Sequence, residues 1–133
     1  MGIRPEALRE ALVTNPGVKA VFVVNPSYYG IASDLTSIVE IAHSFDIPVI
    51  VDEAHGAHLP FDDRLPVSAM EAGADLSASS THKLGGSLTQ SSILLQQGNL
   101  VDPKRVKSTL NLTQTTSPSY ILLASLDIAR KQL

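Results

Sequence analysis

The chain has 133 residues, 44% hydrophobic and 17% charged, which fits one globular domain with its own core rather than a disordered segment. A net charge of −3 and an isoelectric point near 5.7 argue against a nucleic-acid or anionic-membrane surface, which needs clustered Lys and Arg. The absence of cysteine rules out a disulfide framework and thiolate chemistry, and a reducing, cytoplasmic setting is the expectation.

Residues 5–13 read as a short helix and Val18–Val24 as a wholly apolar strand. Asn25-Pro26-Ser27-Tyr28-Tyr29-Gly30 is a loop, with Pro and Gly as breakers. Ser33 is the expected N-cap of the next helix, with Asp34 at its positive end. In that helix Leu35, Ile38, Val39, Ala42 and Phe45 make one apolar face. Pro48–Val51 reads as a second strand, ending at Asp52. Val67–Ala72 reads as a short helix closed by Gly73, and Asp75–Ser79 as a third strand.

Strands separated by helices imply parallel neighbours covered on both faces. Ser92–Leu95 is a fourth strand, joined to the third only by the short segment 82–90. A parallel crossover needs about a dozen residues or more, so this strand is expected to return antiparallel. A helix follows from Asp102-Pro103 to about Leu112, and Pro118 opens a last helix rich in Leu and Ile. No run of about 18 apolar residues is present to span a membrane. Met1-Gly2-Ile3-Arg4-Pro5-Glu6 lacks the apolar segment of a signal peptide, and without export Asn111-Leu112-Thr113 is a chance glycosylation match. The chain starts just before a helix and stops inside a helical pattern, so both ends are expected to have been cut from something larger.

Ligands of open parallel sheets bind at the carboxyl ends of the strands. Three polar clusters fall there: Asn25, then Asp52-Glu53-Ala54-His55, then Ser79-Ser80-Thr81-His82-Lys83. An apolar strand running into Asp-Glu-Ala-His is reminiscent of a helicase, but no Gly-x-x-x-x-Gly-Lys-Ser/Thr loop accompanies it and the chain is acidic. A metal site from Asp52, His55 and His58 lacks an evident fourth ligand, and Lys83 would repel a cation; no metal is expected. A pyridoxal cofactor accounts for more residues. It needs a lysine amine, an anion near the pyridine nitrogen, donors for the phosphate and an apolar contact on the ring. Lys83, Asp52, Ser80 with His82, and Ala54 can supply these in turn.

Ala78-Ser79-Ser80-Thr81-His82-Lys83-Leu84-Gly85-Gly86-Ser87-Leu88-Thr89-Gln90-Ser91-Ser92 resembles the pyridoxal-attachment signature of the ornithine/lysine/arginine decarboxylase family. Val51-Asp52-Glu53-Ala54-His55-Gly56-Ala57-His58 resembles the same family's strand-end motif. Asn25-Pro26-Ser27-Tyr28-Tyr29-Gly30 and Thr115-Thr116-Ser117-Pro118-Ser119-Tyr120 also resemble family segments, so the similarity runs through most of the chain.

The resemblance implies pyridoxal 5'-phosphate as cofactor and an α/β fold: a mostly parallel sheet with helices on both faces, the aminotransferase-like (fold-type I) major domain. It makes Lys83 the Schiff-base lysine, pairs Asp52 with the pyridinium nitrogen and packs Ala54 on the ring. Ser80 and His82 would contact the phosphate, and His55 stands among the cofactor contacts where some members carry an aromatic residue. Lys83 or a neighbouring histidine, such as His82, would return a proton to Cα. The reaction implied is decarboxylation of arginine, lysine or ornithine to a polyamine-type amine. Thr116 and Ser117 either reach a neighbouring subunit's cofactor, in a homo-oligomer, or simply cap the helix at Pro118. Residues 1–133 would be a partial major domain, with the phosphate loop upstream, the small domain downstream, and no turnover by the piece alone. Two alternatives remain: another enzyme of this fold, such as an aminotransferase, and a non-catalytic remnant that only folds or associates.

Overall fold

The computed structural model describes residues 2–133 and contains one four-stranded sheet with five helices. In chain order these are α1 (Pro5–Thr14), β1 (Val21–Val24), α2 (Leu35–His43), β2 (Val49–Asp52), β3 (Leu76–Ser79), α3 (Thr81–Leu84), β4 (Ile93–Gln96), α4 (Pro103–Thr113) and α5 (Tyr120–Gln132). The sheet order is β1-β2-β3-β4. β1, β2 and β3 run parallel, and β4 returns antiparallel to β3, as the short connection requires.

The register explains the two sides of the sheet. Val24 lies opposite Asp52, and Asp52 opposite Ala78, so these side chains share a face with Phe22 and Ile50. Val21, Val23, Val49 and Val51 point the other way and are buried with Leu35, Ile38, Val39 and Ala42 of α2 and Leu12 of α1. Phe22 stays 65% exposed and Val24 49%, so among the described residues no helix covers that face of β1. The core is therefore one-sided along β1, and the second covering layer expected from the alternation of strands and helices is not seen there.

α2 carries the core. Leu35, Ile38 and Ala42 are fully buried at helical spacing, whereas Phe45 falls beyond the helix end and is only half-buried. Replacing Leu35 with alanine should cost about 2–5 kcal/mol, read as a lowered midpoint in denaturant unfolding. The cap is Asp34 rather than the expected Ser33: Asp34 Oδ1 accepts from the Ser37 amide at 3.1 Å. Ser33 is engaged elsewhere. Its amide donates to Asn25 Oδ1 at 2.7 Å and its hydroxyl accepts from the Ile3 amide at 3.0 Å.

Val67–Ala72 does not form the expected helix. Ser68 and Glu71 make a reciprocal cap, with the Ser68 amide donating to Glu71 Oε2 at 3.0 Å. Gly73, at φ +90°, ends the segment after one turn, so the start signals have no helix to open. The last helix begins at Tyr120 with Ser119 as its cap, and Pro118 lies just outside it.

Candidate cofactor site

Asp52, Ala54, Ser80 and Lys83 line one cleft of about 420 Å³ at the carboxyl ends of β1, β2 and β3. Ile50, Ala78 and Leu94 give the same cleft an apolar wall. Asp52 is the last residue of β2, and its Oδ1 accepts from the Ala54 amide at 3.0 Å. That bond folds the chain away from the sheet and leaves Oδ2 for another partner. Ser80 caps α3 by position, yet its side chain makes no capping bond. Lys83 sits one turn later, its amide donating to the Ser80 carbonyl at 2.9 Å. Among the described residues no carboxylate forms an ion pair with the Lys83 amine.

The cleft meets the demands of a phosphorylated pyridine aldehyde: a carboxylate, a free primary amine, a free hydroxyl, and a small apolar residue between apolar walls. Asp52, Lys83, Ser80 and Ala54 are the residues that fit those four needs.

His82 does not line this cleft. Its Nδ1 lies 2.7 Å from the Ser91 carbonyl, so that nitrogen donates, and a neutral ring then offers Nε2 only as an acceptor. Donation from Nε2 to a phosphate requires the imidazolium form. His55 belongs to a neighbouring cleft of about 780 Å³, which it lines with Tyr28, His58 and Lys83. There it packs edge-on against Tyr28, with ring centroids 5.4 Å apart. Lys83 thus borders both clefts, while Asp52 borders one and His55 and His58 the other. A ligand set of Asp52, His55 and His58 does not converge. Thr116 and Ser117 lie in the exposed link between α4 and α5 and line neither cleft.

Two contributors had no clear sequence signal. Phe22 reaches the first cleft only because the register sets it beside Ile50. Tyr28 was legible as a loop residue, and nothing in the loop pattern foretold its contact with His55.

The family model described as Orn/Lys/Arg decarboxylase, major domain, matches residues 2–133. This chain belongs to the ornithine/lysine/arginine decarboxylase family. This family member is 61% identical to an arginine decarboxylase of Bacillus subtilis over 132 residues, covering 99% of the chain and 27% of that relative. It is 58% identical to an arginine decarboxylase of Bacillus cereus, again over 132 residues, covering 99% of the chain and 29% of the relative. The decarboxylase-family chain thus spans roughly a quarter of the length of these relatives. A solved ureidoglycine-glyoxylate aminotransferase from Bacillus subtilis superposes with a TM-score of 0.62 over 94% of the chain and 30% of the aminotransferase, at 18% identity. The fold is thus aminotransferase-like and partial, as expected. No helix among the described residues is long and apolar enough to cross a membrane.

Proposed function

We propose that this chain is the cofactor-bearing part of a pyridoxal-phosphate-dependent decarboxylase acting on a basic amino acid, arginine before lysine or ornithine. The observation that carries the reading is the convergence of Asp52, Ala54, Ser80 and Lys83 on one cleft. Arginine ranks first because the relatives at 61% and 58% identity bear that name.

When bound, pyridoxal phosphate supplies an electrophilic aldehyde and a conjugated ring that accepts the electron pair left by departing carbon dioxide. Lys83 is the covalent tether, and its freedom from ion pairs leaves the amine available as a nucleophile. Asp52 keeps a proton on the ring nitrogen through its free carboxylate oxygen. Ala54 packs against the ring, and the Ser80 hydroxyl donates to the phosphate. Once displaced by the substrate amine, Lys83 lies between the two clefts and can deliver the proton that replaces the carboxylate on Cα. The net change is loss of carbon dioxide and gain of one proton, giving the amine. A cytoplasmic, homo-oligomeric full-length protein goes with this reading.

The test is a site of attachment. The full-length protein is loaded with pyridoxal phosphate, reduced with borohydride and mapped by mass spectrometry. The cofactor mass should sit on Lys83, with Lys19, Lys104, Lys107 and Lys131 as internal controls. Label spread evenly over these five lysines of the chain would mean nonspecific condensation and would favour a non-catalytic remnant. Loaded protein that yields a keto acid rather than carbon dioxide from arginine would move the reading to an aminotransferase.

A further inference from the structure

Glu53 lies between the two cleft residues of β2's end, yet it points the opposite way. Strand alternation sends Asp52 and Ala54 to the cleft and Glu53 into the interior, where it is 3% exposed. Its carboxylate is fully engaged: Oε1 accepts from the Ala69 amide at 2.7 Å and Oε2 from the Ser77 hydroxyl at 2.9 Å. Its backbone is engaged as well. The amide donates to the Ala78 carbonyl at 2.9 Å, and the carbonyl accepts from the Gly56 amide at 2.8 Å. The next turn is fitted to this side chain, since a Cβ on Gly56 would stand 2.5 Å from Glu53 Cγ.

We propose that Glu53 is a positioning residue, which fixes the end of β2 to β3 and to the 68–73 turn and thereby aims Asp52 and Ala54 into the cofactor cleft. The inference rests on the cofactor reading above. Burying a carboxylate is costly, and an apolar side chain of similar size would fill the space at lower cost. Burial pushes the Glu53 carboxyl above its ordinary range, against the pull of the Ala69 and Ser77 bonds, and Glu71 pushes the same way. The folded state therefore holds this proton more tightly than the unfolded chain. Stability from this group is greatest below the unfolded value and falls as pH rises through the folded one. What the carboxylate adds is direction: two short bonds to two different segments. Behind it lies an apolar cavity of about 310 Å³, bounded by Phe61, Leu95 and Leu126, into which an untethered strand end can relax.

The experiment uses the full-length, cofactor-loaded protein, with pyridoxal phosphate itself as the probe. It reads cofactor affinity by dialysis, cofactor orientation by the visible circular-dichroism band, and apo-protein stability by thermal unfolding. Glu53→Ala is expected to weaken cofactor affinity by roughly ten- to a hundredfold and to alter the dichroic band, the size seen when a buried partner behind a ligating group is removed. Glu53→Gln should restore both, because its oxygen can accept from Ala69 while its amide donates to Ser77. Ser77→Ala, which keeps the charge and removes one tether, should shift the band in the same direction by less. It serves where Glu53→Ala fails to fold. An apo-protein destabilised by Glu53→Ala or Ser77→Ala, with affinity and band both at wild-type values, would make Glu53 a brace only and overturn the proposal. A wild-type protein with no cofactor on Lys83 would overturn the cofactor reading, and this role with it.

Discussion

Lys83→Ala is expected to abolish turnover, by on the order of 10⁴-fold or more in kcat, because on the proposed reading it removes the covalent tether and a proton carrier together. No other lysine lines either cleft, so none can substitute from within the chain. The fold should survive the change. Lys83 is exposed and makes no ion pair, and α3 is held by backbone bonds to Ser80 and Thr81 that alanine retains. Carbon dioxide release from labelled arginine, thermal unfolding and borohydride labelling measured on one preparation separate the outcomes. Lost turnover and label with unchanged unfolding supports the role. Turnover within tenfold of wild type would remove Lys83 from the chemistry. A small primary amine added to the variant should restore part of the rate, since the space vacated by the side chain opens onto both clefts.

The path from sequence to site was short where the backbone alone decides the outcome. An apolar run ending at Asp52 and a second ending at Ser79 had to be parallel neighbours, because a crossover of suitable length joins them. Their polar ends then had to meet on one edge of the sheet. The antiparallel return of β4 followed from the same reasoning, since residues 82–90 are too few for a crossover. The signature around Lys83 added the family resemblance to a position that topology had already placed at the sheet's carboxyl edge.

Side-chain competition decided the rest, and a one-dimensional pattern does not display it. Ser33 and Asp34 are both good helix caps, and only the folded loop reveals that Asn25 and Ile3 have claimed Ser33. The 67–72 segment carried a start signal and a stop signal about one turn apart, so both were obeyed and no helix remained. His82 sits beside Lys83 in sequence, but the helical turn swings it toward Ser91, away from the cleft. His55 follows Ala54 by one residue and enters the other cleft, where it packs on Tyr28. Glu53 was visible in the sequence as part of a motif. Its burial became evident only when the 68–73 turn and Ser77 closed over it.

Asp52→Asn is the second large effect expected, a fall of roughly 10²–10³-fold in kcat, the scale seen when one electrostatic partner of a developing charge is removed. The substitution is chosen because Asp52 performs two tasks. Its Oδ1 holds the turn through the Ala54 amide, and the residue lines the cleft with its other oxygen unbonded. Asparagine keeps the acceptor and the volume but removes the charge, so cofactor loading and the Lys83 label should change little. KM for arginine should also stay close to wild type if, as proposed, Asp52 serves the ring nitrogen and not the substrate side chain. Asp52→Ala removes the turn-holding bond as well, and should lower both kcat and cofactor affinity. The difference between the two variants measures how much of Asp52's contribution is charge and how much is shape. A near-wild-type kcat in Asp52→Asn, with a poor one in Asp52→Ala, would reduce Asp52 to a turn former and leave the ring nitrogen without its anion. The electron sink would then need another source in the full-length protein, and the assignment of this cleft as the decarboxylation site would fail with it.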